Sequence, residues 1–79
     1  MRVDYSPRAK KFLDSLDTRI SSRTARRMQD DPFRGAQRVN GTPDKIYRIR
    51  VGSLRVLFEF ENGDVYVITI DKRSRVYKR

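Results

Sequence analysis

Arg48 and Arg50 stand two residues apart, and Arg55 follows just past Gly52-Ser53. A spacing of two is the same-face repeat of a β-strand, and a Gly-Ser pair can close a two-residue type II′ hairpin turn. With that turn, Val51 pairs with Leu54 and Arg50 faces Arg55 directly across the hairpin. Arg48 lies next to them on the same face. Like charges directly opposite one another weaken a ladder by roughly 0.2–1 kcal/mol, a cost the fold does not need. An anion held between the guanidinium groups would relieve it, and arginine grips phosphate or carboxylate bidentately. The competing interpretation makes these arginines solvated strand residues neutralised by Glu59, Glu61 or Asp71. The basic tail Lys72-Arg73-Ser74-Arg75-Val76-Tyr77-Lys78-Arg79 favours the anion site. Tyr77 is either a core or frayed terminal aromatic, or a stacking or catalytic group beside the arginines.

Other chemistries are excluded by what is missing. The chain has no cysteine and no histidine, so thiolate chemistry, disulfides and the commonest metal ligand and general base are all unavailable. It carries no phosphate-cradling glycine loop, no nucleophile elbow and no carboxylates at metal-ligand spacing. Asp30-Asp31 reads as a helix end rather than an ion site. No metal and no cofactor are expected. Nineteen Lys and Arg against ten Asp and Glu give a net charge of +9, which points to a polyanionic partner, either a nucleic acid or an acidic protein.

The framework that holds these groups follows from hydrophobic spacing. Seventy-nine residues suffice for one domain, expected over 1–79. Residues 2–5 can form a short strand. Ser6 reads as an N-cap with Pro7 at the first helical position, and Ala9, Phe12, Leu13 and Leu16 then make one apolar stripe. A second helix starts at Asp17 or Thr18 and runs to about Met28, with Ile20, Ala25 and Met28 as its apolar residues. The stretch from Asp30 to Pro43 reads as a loop, punctuated by Pro32, Gly35, Asn40, Gly41 and Pro43. From Ile46 the period becomes two. Tyr47, Ile49 and Val51 share one face, as do Leu54, Val56, Phe58 and Phe60 on the next strand. Asn62-Gly63 signals a second hairpin, and Val65 to Ile70 returns as a third strand. The expectation is an α+β fold: strand, helix, helix, then an antiparallel meander of three strands, with the helices on one face of the sheet. No apolar run approaches the roughly 20 residues of a membrane span, and the N-terminus lacks a signal peptide's apolar stretch. A cytoplasmic protein is expected.

The run Tyr47-Arg48-Ile49-Arg50-Val51-Gly52-Ser53-Leu54-Arg55-Val56-Leu57-Phe58-Glu59 resembles the central hairpin of toxins in the RelE/ParE superfamily. The ending Val67-Ile68-Thr69-Ile70-Asp71-Lys72-Arg73-Ser74-Arg75-Val76-Tyr77 is similar to that family's last strand and its arginine-to-tyrosine close. Tyr5-Ser6-Pro7-Arg8-Ala9-Lys10-Lys11-Phe12-Leu13 resembles its first strand and helix. Asp31-Pro32-Phe33 and Gly41-Thr42-Pro43 resemble its loop. The resemblance covers nearly the whole chain and implies a RelE-like toxin of a type II toxin–antitoxin system. In the ribosome-dependent RelE toxins, the positions matching Arg48, Arg50, Arg55, Arg73 and Tyr77 serve mRNA cleavage. Gyrase-poisoning ParE toxins share the fold without this full set, so the retained set favours the nuclease.

RNA cleavage by the adjacent 2′-hydroxyl needs a base, stabilisation of a crowded anionic phosphate and an acid for the departing 5′-oxygen. Arginine does not deprotonate in proteins and cannot be the base. Arg55 and Arg73 are assigned to transition-state charge, with Arg48 and Arg50 positioning the RNA backbone and Arg75 binding RNA beside them. Tyr77 is the candidate base, its phenolate favoured by neighbouring guanidinium groups, or else a base-stacking residue. Lys72 is a reserve proton carrier. The resemblance implies mRNA in the ribosomal A site as substrate and an acidic, partly disordered antitoxin as partner in a hetero-oligomer. Two alternatives stand beside this reading: a ParE-like toxin that binds gyrase, and a basic RNA-binding or interaction module without catalysis.

Overall fold

The structure, a computed structural model, describes residues 1–39, 41 and 45–72. Ser6 sets the entry to the first helix. Its side chain accepts from the Ala9 N–H at 3.0 Å, and Pro7 occupies the first turn, where its missing N–H costs nothing. The helix α1 runs over Pro7–Asp14 and is preceded by the strand β1, Val3–Tyr5. Asp17 caps α2, Thr18–Asp30, by accepting from the Arg19 N–H at 2.8 Å.

Four more strands follow: β2 Gln37–Arg38, β3 Ile46–Val51, β4 Leu54–Glu61 and β5 Asp64–Lys72. They form one sheet in the order β1-β5-β4-β3-β2, with β1 parallel to β5 and the other pairings antiparallel. The α+β class, the two helices and the three-strand meander are as expected. The sheet is larger by two-residue β2, which lies inside the stretch read as loop. Two residues are too short to show an alternation, and Gln37 and Arg38 become a strand only by pairing with Arg48 and Tyr47. Asn40, Thr42 and Pro43 of that same stretch lie outside the described residues.

Both hairpin turns have the expected chemistry. Gly52 takes φ +61 ahead of Ser53, whose φ is not positive, as a type II′ turn requires; Asn62 and Gly63 take φ 55 and 80, a type I′ pair. The core is the sheet face bearing Ile49, Val51, Leu54, Val56, Phe58, Val65, Val67 and Ile70, closed by Ala9, Leu13 and Met28 from the helices. Two details depart from simple periodicity. Ile20, one of the three apolar residues of α2, is 38% exposed, whereas the polar Thr24 is buried. Thr24 can go inside because its hydroxyl donates to the Ile20 carbonyl at 2.9 Å, leaving no unmet polar atom. In β5 the register slips between the pairs Leu57–Thr69 and Phe58–Val67, so Ile68 is an extra residue in a bulge and inward positions run Val65, Val67, Ile70.

Candidate functional site

The hairpin places its arginines as their spacing implies. Arg50 is the direct cross-strand partner of Arg55, and Arg48 is two residues back on β3, opposite Leu57. These side chains leave the sheet on the face away from Val56 and Phe58, because neighbours on a strand alternate. Arg48, Arg50 and Arg55 all line one cleft of about 660 Å³.

The cleft also takes Arg27, Arg34, Gly35 and Gln37, none of which the sequence singled out as site residues. Since β2 pairs with β3 only at Arg48 and Tyr47, the cleft opens where β2 stops. Arg27 comes from the last turn of α2 and holds the following loop. Its Nε donates to the Asp31 carbonyl at 2.8 Å and its Nη2 to the Arg34 carbonyl. Phe33 pins the same loop to the sheet, edge-on to Tyr47, Phe58 and Phe60 at ring distances of 5.2, 5.6 and 4.9 Å. Arg34 and Gln37 are thereby carried to the arginine hairpin. The only sequence signal for this was Gly35 beside Arg34 in a turn. The contribution of Arg27 depends on the angle at which α2 meets the loop.

Two carboxylates oppose the five arginines of the cleft among the described residues. Arg55 Nε lies 3.4 Å from Asp71 Oδ1, and Arg34 Nε lies 3.5 Å from Asp31 Oδ2. Both pairs are well exposed to solvent and contribute about 0–1 kcal/mol each. Among the described residues, the neutralised-strand interpretation therefore holds within the hairpin for Arg55 and its partner Asp71. Arg48 meets the neutral Gln37, with Nη2 3.5 Å from Oε1, and Arg50 makes no ion pair among the described residues. The arrangement presents several guanidinium forks to an incoming anion. No group of His, Cys, Asp or Glu that could hold a metal ion occurs among the described residues.

Lys72 is exposed at the end of β5, and its register partner is Leu54, on the face of the sheet that carries the core. The fold thus separates it from Arg55 and Asp71, which pair one residue away on the opposite face. Arg73, Arg75 and Tyr77 lie outside the described residues. No helix among the described residues is long and apolar enough to cross a membrane.

The sequence model of the ParE toxin of the type II toxin–antitoxin system parDE matches residues 3–77. The fold is similar to that of the toxin–antitoxin complex RelBE2 from Mycobacterium tuberculosis, with a TM-score of 0.76 at 20% identity, covering 91% of this chain and 96% of that one. The archaeal RelE–RelB complex from Pyrococcus horikoshii gives 0.76 at 23% identity, covering 94% and 96%. The isolated E. coli RelE toxin gives 0.73 at 25% identity, covering 96% and 89%. No curated protein sequence matches the chain.

Proposed function

The chain belongs to the ParE toxin family of type II toxin–antitoxin systems and has a RelE-like fold, and we propose that it is an endoribonuclease that cuts mRNA in the ribosomal A site and is restrained by an antitoxin. The observation that carries this reading is the meeting of Arg48, Arg50 and Arg55 in one cleft, with a single carboxylate among the described residues, Asp71, paired to the three.

In the proposed reaction the 2′-oxygen of one nucleotide attacks the adjacent phosphorus, the bond from phosphorus to the 5′-oxygen breaks, and a 2′,3′-cyclic phosphate forms. Arg48 and Arg50 hold the RNA backbone. Arg55, joined by Arg73, stabilises charge that grows on the phosphate oxygens, a role typically worth ~10²–10³ per well-placed donor. Tyr77 takes the 2′-hydroxyl proton or stacks on the base. Lys72 leaves its strand on the opposite face from Arg55, so its part is limited to RNA binding at the strand end, and water protonates the leaving 5′-oxygen. Arg75 binds RNA beside them. A site built of positioning groups works poorly on free RNA and well once a ribosome presents the strand. The net charge of +9 suits an acidic antitoxin, and the similar structures include toxins solved with RelB.

Primer extension on mRNA in translating ribosomes tests this, with wild type beside Arg55→Ala, Arg73→Ala and Tyr77→Phe. Cuts made by wild type alone, and only with ribosomes, support the nuclease. A folded protein that makes no cut on active ribosomes overturns it. The second reading, a ParE-like toxin that binds gyrase, rests on the description carried by the matching family model. It expects gyrase inhibition that survives Arg55→Ala.

A further inference from the structure

On α2, Arg19, Arg23 and Arg26 recur at intervals of four and three, so they share one helix face, and all three are exposed. That face points away from Thr24 and Met28, the buried residues of the helix. None of the three makes an ion pair among the described residues. Like charges four apart weaken a helix, so this stripe costs stability, as the hairpin arginines do.

The stripe borders a second recess. Arg23, Arg26, Arg27, Asp30, Arg34, Val51 and Gly52 surround a space of about 380 Å³. Its floor is the tip of the arginine hairpin: a Cβ placed on Gly52 would lie 3.1 Å from Arg23 Nη2. The absence of a side chain there lets the guanidinium lie over the turn. Arg27 and Arg34 line both this recess and the sheet cleft, so the two adjoin. Among the described residues, Asp30 is the only acidic one lining either.

We infer that the arginine face of α2 is a second binding site for RNA phosphate backbone, adjoining the sheet cleft. A strand held in the cleft runs on past Gly52 and is gripped by Arg23 and Arg26, so the bound RNA is longer than the segment at the hairpin. The site takes phosphodiester groups without regard to base, since guanidinium forks on a convex helix face offer nothing that reads base edges. The inference deepens the nuclease reading, but RNA binding at α2 does not require catalysis.

The test is fluorescence anisotropy over a salt series with uncleavable 2′-O-methyl RNA. Two probes of roughly 16 and 4 nucleotides span the site sizes of backbone-tracking grooves. Removing one arginine that neutralises a phosphate lowers the slope of log affinity against log salt by about 0.7 for single strands, so R23A/R26A is expected to lower it by about 1.4 on the long probe. The short probe should be unaffected, and R23K/R26K should restore the wild-type slope, as preserved charge requires. An unchanged slope on the long probe overturns the inference, and so does an equal drop on both probes, which would mean disturbed packing at the hairpin. If RNA binding is unmoved while affinity for a polyglutamate peptide falls, the face serves an acidic protein and the inference is wrong. Absence of cutting by wild type on ribosomes, with the slope change intact, removes the nuclease reading and leaves this one.

Discussion

Arg50 and Arg55 are direct cross-strand partners, and only Arg55 has a carboxylate, Asp71, within ion-pair distance among the described residues. The hairpin thus holds two like charges face to face and neutralises one. Replacing Arg50 by Thr, a good strand residue, removes the repulsion and should stabilise the fold by roughly 0.2–1 kcal/mol. The same change should weaken RNA binding and cleavage. A thermal melt and a cleavage assay read the two effects; Arg50→Thr that is both less stable and fully active would show the pair to be structural.

Ser6 ties the first helix to the bulge in β5. Its hydroxyl donates to the Ile68 carbonyl at 2.7 Å and accepts from the Ala9 N–H, while its own N–H donates to the Val67 carbonyl at 2.9 Å. Ser6→Ala removes the cap and leaves the Ile68 carbonyl without its side-chain donor. A destabilisation of about 1–2 kcal/mol is expected in urea unfolding. Ser6→Asp keeps the cap but cannot donate to that carbonyl, so it should recover only part of the difference.

Arg27 acts through the loop it holds. Arg27→Met keeps a long apolar stem but gives up the bonds to the Asp31 and Arg34 carbonyls. The side chain is half-buried, so the destabilisation should be modest, about 1 kcal/mol. RNA affinity should fall further than that of Arg38→Met, which removes the same charge from an exposed β2 position outside the cleft. Equal effects of the two substitutions would assign Arg27 no role beyond its charge.

Burial raises the Tyr5 phenol above its usual value of 10.0. The folded state therefore holds that proton more tightly than the unfolded chain does, and the neutral phenol's contribution is complete below about pH 10. Stability should fall as the pH climbs from there through the raised value, because the unfolded chain ionises first. Tyr5→Phe should flatten this alkaline decline, as measured by unfolding at a series of pH values above neutrality. An unchanged slope would mean that other groups govern it.

Local residue spacing marked β1, both helices, the three-strand meander and the arginine pairing of the hairpin. Ser6-Pro7 marked the start of α1, and the alternation of Tyr47-Arg48-Ile49-Arg50 fixed which side chains face the core. Gly52-Ser53 then set the Arg50–Arg55 pairing, because a two-residue turn leaves one register. These are local rules, legible wherever the period is two or 3.6. Packing between distant segments fixed the rest. Gln37-Arg38 is a strand only because Arg48 and Tyr47 lie beside it. Ile68 bulges and offers its carbonyl to Ser6, 62 residues away. Lys72 faces away from Arg55 because the bulge and the pairing with Leu54 set its side of the sheet. Arg27 and Arg34 reach the hairpin arginines because Phe33 packs on three rings from β3 and β4. Periodicity assigns a side chain to a face of its own element. Which other element meets that face is set by packing between segments far apart in sequence, and that part was written in the fold alone.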